Sequence, residues 1–137
     1  MASEIHGILA SGIGLGKTFT RLDWAREQFL TRVGIDPFAG TLNVKISDGP
    51  SRTAWDRLKA TPGIHIDNPN DGPHDCDARC YRVEIVALDG RAYPAAIVLP
   101  EVDGYPEEQI ELICAIGLRD ALGLGDGDCV RLRIAIS

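Results

Sequence analysis

Apolar and polar positions alternate over several short stretches of the chain, and in one stretch they switch to helical spacing. Residues 4–10 (EIHGILA) read as a strand that runs into a glycine-rich segment. Leu22, Ala25, Phe29 and Val33 then recur at helical spacing. This predicts a helix over 20–33, with Thr20 as N-cap, Asp23 reaching back and Gly34 as the stop. Residues 36–40 (DPFAG) form a turn. Residues 41–46 (TLNVKI) alternate again, with Leu42, Val44 and Ile46 on one side and Thr41, Asn43 and Lys45 on the other. A short helix follows Pro50 over 51–59, and 67–73 (DNPNDGP) is a loop by composition. Two apolar runs, 79–88 and 91–99, flank Asp89-Gly90 and predict a β-hairpin with a tight turn. Pro94 in its second arm requires an edge position or a bulge. Residues 109–113 fit a strand or a helix, 118–122 a single helical turn, and 129–136 a closing strand. Six or seven short strands with one substantial helix favour a mainly β fold, a small β-barrel, over a doubly wound sheet.

The length of 137 residues fits a single domain over 1–137 with a core of its own. The formal net charge of −6 argues against broad binding to nucleic acid or an anionic membrane, which needs a basic face. It leaves room for a small phosphorylated ligand held by one local loop. No apolar run has the length of a membrane span, and MASEIHG carries neither a basic leader nor an apolar signal core. The expected location is therefore cytoplasmic, with the four cysteines reduced. His74, Cys76 and Cys80 offer a possible metal-ligand cluster. Against it, Cys80 opens an apolar alternating run and reads as a core residue, and no second ligand pair follows at zinc-site spacing. Cys114 and Cys129 sit in apolar runs and read as small buried hydrophobes.

Three stretches bear candidate chemistry. SGIGLGKT at 11–18 has glycines at alternate positions followed by lysine and threonine. It misses the Walker spacing, because Ser11 stands where the first glycine belongs, and it misses the dinucleotide fingerprint, because Lys17 replaces the third glycine. The physics of both loops still applies. Glycines allow tight turns and close approach to a ligand, successive N–H groups can nest an anion, and Lys17 adds a positive charge. An ordinary glycine turn is the competing reading. Thr41 and Asn43 put a hydroxyl and an amide oxygen on one strand face, a donor set suited to Mg²⁺, although such residues are commonly just solvated. The acidic stretch 103–111 (DGYPEEQIE) could supply a general base, or only a hydrated loop. Arg119, near a turn, could pair with phosphate or form a surface ion pair.

Taken in order, these pieces resemble the archaeal-type CTP-dependent riboflavin kinases. SGIGLGKTF is similar to that family's glycine loop, PFAGTLNVKI to its P-[YF]-x-G-T-L-N-[VI]-K segment, and residues 96–134 to its hairpin, L-R turn and closing strand. The resemblance covers nearly the whole chain. It implies a six-stranded cradle-loop β-barrel with one main helix. It also implies transfer of the γ-phosphate of CTP to riboflavin, giving CDP and FMN with Mg²⁺. By position, it implies that Gly12, Ile13, Gly14, Leu15, Gly16 and Lys17 wrap the nucleotide and that Ile116, Gly117, Leu118 and Arg119 complete its pocket. Thr41 and Asn43 would hold Mg²⁺. Asp103 and Glu111 would face the flavin, Glu111 accepting the hydroxyl proton. The chain departs from the family at Leu15, where glutamate is usual, and at Asp103, where threonine is. It also has Ala115 and Gly117 in place of a proline and an asparagine. Two other readings use the same residues: a kinase of this fold acting on a different small alcohol, and a module that binds nucleotide or flavin without turnover.

Overall fold

The computed structural model describes residues 4–10, 23–37, 42–69, 77–102 and 104–134. Among these residues, seven strands run β1 (Glu4–Ala10), β2 (Leu42–Ile46), β3 (Ile64–Ile66), β4 (Ala78–Val86), β5 (Ala92–Pro100), β6 (Gln109–Ile113) and β7 (Cys129–Ile134). Three helices interrupt them: α1 (Asp23–Gln28), which continues as a π-helical turn over Phe29–Val33, α2 (Gly49–Lys59) and α3 (Leu118–Leu122). The strands hydrogen-bond in the order β3-β4-β5-β6-β2-β1-β7, every pair antiparallel. A further β4–β7 pairing closes six of them into a barrel. Strand β4 does two jobs along its length: Ala78–Cys80 pair with β3, and Val83–Val86 pair with β7. Closure removes the free edges that an open sheet of such short strands would expose. Among the described residues, no helix is long and apolar enough to cross a membrane.

The barrel interior follows from alternation. In β2, Leu42, Val44 and Ile46 are buried, while Asn43 and Lys45 face outward, as the sequence pattern predicts. Ile5, Val44, Ile85, Ile97, Ile110, Leu112 and Leu132 meet in this interior. A second apolar layer lies on the opposite face of the same sheet. Ala25, Phe29 and Val33, spaced by four on the helix, pack there on Ile66, Ala78, Cys80, Ala96, Val98 and Ile113. Strand β5 is therefore covered on both faces, so Ala95, Ala96, Ile97 and Val98 are all buried and its alternation disappears. The π-helical turn ends at Gly34, whose N–H donates to Phe29 O. Arg82 of β4 donates from Nε to Val33 O and from Nη2 to Arg32 O, both at 3.0 Å, which satisfies the carbonyls a helix end leaves open.

The hairpin forms, with Gly90 at φ 91° in its turn. Pro94 pairs with Glu84, and the β6 pairing of β5 begins only at Ala96, so its missing N–H lies beside an open edge. The helix after Pro50 is longer than expected: α2 has 11 residues. Asp48 starts it by accepting from Ser51 N, and the Ser51 hydroxyl accepts from His6 N of β1 at 2.8 Å. Gly7 in β1 tolerates no side chain cheaply. A Cβ there would stand 2.2 Å from Val44 Cγ1 and 2.8 Å from Lys45 O. Gly7→Ala is expected to destabilise the barrel by about 1–3 kcal/mol, read as a lower denaturation midpoint with an unchanged slope.

Candidate active site

The registers of five strands align a single row of residues. Ala10 lies opposite Asn43, Asn43 opposite Glu111, Glu111 opposite Val98, and Val98 opposite Cys80. Residues directly opposite in antiparallel strands share a face. Val98 and Cys80 belong to the outer layer under α1, so the row runs along the outside of the barrel. At one end is Ala10, covalently joined to Ser11 and thus to the glycine-rich segment. Beside it are the amide oxygen of Asn43 and the carboxylate of Glu111. Candidates more than 60 residues apart in sequence are brought to neighbouring strands by the pairing of β2 with β1 and β6. Residues 11–17, Thr41 and Asp103, the other candidates for nucleotide, metal and flavin contact, lie outside the described residues.

Glu111 is 0% exposed, and it is the buried carboxylate among the described residues. Two acids near it are surface groups held in ion pairs. Glu101 pairs with Arg79 at 3.0 Å and Glu107 with Arg52 at 2.8 Å. Burying a carboxylate is costly unless donors meet it. Tyr105 Oη donates to Glu111 Oε1 at 2.8 Å, and Gln109 Nε2 donates to the same oxygen at 3.2 Å. Gln109 Nε2 also lies 3.4 Å from Asn43 Oδ1 and 3.4 Å from Tyr105 Oη. Burial first, and then the neighbouring charge of Glu111, push the Tyr105 phenol well above its usual range. The phenol therefore keeps its proton and acts as donor. Tyr105 also lines a cleft of about 370 Å³ with Trp55, Lys59, Arg79, Glu101 and Val102.

The strand assignment of 109–113 explains why Gln109 and Glu111 act together: residues two apart on a strand share a face. Sequence reasoning missed both Gln109 and Tyr105. The Q-x-E spacing was a usable signal for Gln109 once a strand was chosen. Tyr105 sits in a loop, where no periodicity points to a partner.

The last candidate segment follows β6. Ile116 is exposed, and Leu118 is buried in the barrel interior, so its side chain serves the core. Gly117 precedes α3 in an extended conformation. Arg119 Nη2 pairs with Asp126 Oδ1 at 2.6 Å on the surface. Of the cysteine cluster, Cys80 is fully buried, and that burial pushes its thiol up to about 12. A thiol held protonated in this way is a poor metal ligand. His74 and Cys76 lie outside the described residues. Cys114 is buried as expected, its Sγ donating to Pro94 O, whereas Cys129 is exposed because it opens β7 at a barrel end. Nearby, His65 Nε2 lies 3.0 Å from Asp67 and 3.2 Å from Asp77, a surface cluster that brings Asp67 and Asp77 together.

Comparison with known proteins bears on the family. The CTP-dependent riboflavin kinase family model, described as "Domain of unknown function DUF120", matches residues 9–134. The chain is 36% identical over 132 residues to the riboflavin kinase of Methanosarcina acetivorans, covering 96% of this chain and 53% of that protein. It is 38% identical over 128 residues to the riboflavin kinase of Methanosarcina mazei, covering 93% and 54%. It is 35% identical over 136 residues to the riboflavin kinase of Haloquadratum walsbyi, covering 96% and 56%. The chain thus spans about half the length of these relatives. The match runs from the end of β1 through β7, so it takes in every strand of the row described above. This chain belongs to the CTP-dependent riboflavin kinase family.

Proposed function

We propose that the domain transfers the γ-phosphoryl group of CTP to the ribityl 5′-hydroxyl of riboflavin, giving FMN and CDP, as a cytoplasmic enzyme. The observation that carries this reading is the row Ala10–Asn43–Glu111, which joins the entry to the glycine-rich segment, an amide oxygen and a buried carboxylate on neighbouring strands. Phosphoryl transfer requires little covalent chemistry of the protein. It needs a cradle for the phosphates, compensation of their charge, and a group that orients the attacking hydroxyl. The glycines and Lys17 supply the cradle, with 116–119 completing the nucleotide pocket. The riboflavin oxygen attacks the γ-phosphorus, the bond to the β-phosphate oxygen breaks, CDP leaves with the electron pair, and Glu111 takes the hydroxyl proton.

Neutral oxygen donors suit Mg²⁺, and Asn43 presents one on the outer face beside Glu111. Asn43, with Thr41 two positions earlier in the sequence, would hold the ion, which when bound offsets the charge of the transferring phosphates. Asn43→Ala is expected to raise the Mg²⁺ concentration for half-maximal activity by about tenfold or more. A magnesium titration at saturating CTP checks it.

Asp103 favours a second reading. A carboxylate where the family carries threonine disfavours a phosphate-bearing product nearby unless it is paired. In that reading the same machinery phosphorylates a different small alcohol. A direct test incubates the protein with riboflavin, Mg²⁺ and each of CTP, ATP and GTP, and reads FMN. FMN from CTP supports the first reading. CTP binding with no FMN supports a different acceptor or a binding module.

A further inference from the structure

We infer that Tyr105 and Gln109 are positioning residues of this site: they hold the Glu111 carboxylate in its accepting orientation, and Gln109 ties it to Asn43. The inference rests on the proposed kinase reading and deepens it.

Both donors converge on one oxygen of Glu111, Tyr105 Oη at 2.8 Å and Gln109 Nε2 at 3.2 Å. Two donors from different elements, a loop and the same strand, fix the plane of a carboxylate far better than one. They also favour its charged form, which a proton acceptor must be in before the hydroxyl arrives. Tyr105 can only serve as donor here. Its phenol is kept protonated by burial and by the charge it faces.

Gln109 has a further role. Its amide nitrogen carries two N–H groups. One faces Glu111 Oε1, and Asn43 Oδ1 at 3.4 Å lies within reach of the other. Asn43 is directly opposite Glu111 in the ladder, while Gln109 is opposite Lys45, so Gln109 reaches diagonally across β2. Side chains proposed to meet the metal and the acceptor hydroxyl are thereby held in one network. Changing Gln109 should disturb metal use and proton acceptance together, whereas changing Tyr105 should disturb proton acceptance alone.

The experiment compares the wild-type chain with Tyr105→Phe and Gln109→Met, which keep size while removing the donors. The kcat–pH profile, the KM for CTP and the Mg²⁺ dependence are measured for each. For Tyr105→Phe the expected result is a kcat lowered about tenfold, the effect of one hydrogen bond to a charged group. The acid limb of its profile should move up by about one pH unit, because a lost donor leaves the carboxylate easier to protonate. Its KM for CTP should stay within about twofold, a split that loss of fold would not produce. Gln109→Met should show the same shift of the acid limb together with a raised Mg²⁺ requirement. An unmoved acid limb in Tyr105→Phe overturns the inference. So does a Gln109→Met variant whose Mg²⁺ requirement equals that of wild type.

If the wild-type chain itself makes no FMN, the kinase reading fails, and the network is still testable. ¹³C NMR of a glutamate-labelled sample would follow the Glu111 carboxyl in wild type and Tyr105→Phe. Titration at higher pH in the variant supports the positioning role, and coincident curves reject it.

Discussion

Glu111→Gln is expected to lower phosphoryl transfer to riboflavin by about 10²–10⁴-fold while leaving CTP binding within a few-fold of wild type. The substitution keeps the shape of the side chain, which matters at a position with 0% exposure. It removes the charge and the capacity to take a proton. It also places an amide against two donors, Tyr105 Oη and Gln109 Nε2, so one oxygen can still accept from them. The fold should therefore survive, and a melting temperature close to wild type would separate lost chemistry from lost structure. Steady-state FMN formation and calorimetric titration with CTP make the measurement. A loss below about tenfold would mean that the proton is taken elsewhere. Largely dissociative transition states permit that, because the attacking oxygen carries little charge change until late in the reaction. The size of the effect therefore measures how much this site depends on a base rather than on positioning.

What the sequence made legible, and what it hid, has a physical pattern. Strand β2 was readable because one of its faces is apolar and the other polar. The same property made Asn43 visible as an outward donor. Strand β6 was harder, because the layer under α1 buries its end at Ile113. Ile110 through Ile113 include no exposed residue, and the outward-facing Glu111 is buried with them. An apolar run without alternation fits a strand or a helix, so the shared face of Gln109 and Glu111 was not available from sequence. Helix α2 looked short because its start lies in Asp48-Gly49-Pro50. That stretch reads as a turn until the Asp48 carboxylate is seen capping Ser51 N. β3, three residues long, is held by β4 and leaves no pattern of its own. Cys80 was readable as core because it opens an alternating run, and the second apolar layer explains why that position is buried. Tyr105 carried no signal at all. It acts through a single hydroxyl contact from a loop, and only the folded register shows what that hydroxyl meets.

Trp55→Ala is expected to be the most damaging substitution to stability, at about 3–5 kcal/mol. Trp55 is 1% exposed and joins α2 to the barrel interior. Its ring meets Tyr81 edge-on, with centroids 6.2 Å apart and planes at 86°. Tyr81 in turn donates to Thr61 O at 2.9 Å and packs closely on Gly63, which at φ 64° makes the turn out of α2 into β3. Removing the indole thus opens a large void and frees the contact that fixes this turn, and a barrel of short strands has few ways to collapse around it. For a domain of this size the loss corresponds to a fall of roughly 10–20 °C in Tm. Lys59, whose Nζ lies 5.3 Å from the indole centroid, offers the contrast. Lys59→Ala removes only the partly exposed cation and should cost about 0.5–1 kcal/mol. Chemical denaturation of both variants, with wild-type and Glu111→Gln curves alongside, makes the comparison. A Trp55→Ala loss no greater than that of Lys59→Ala would show that α2 is held to the barrel by its ion pairs, Arg52 to Glu107 above all, rather than by its buried ring. The larger loss would place the anchor of α2 in the barrel interior rather than in its surface ion pairs.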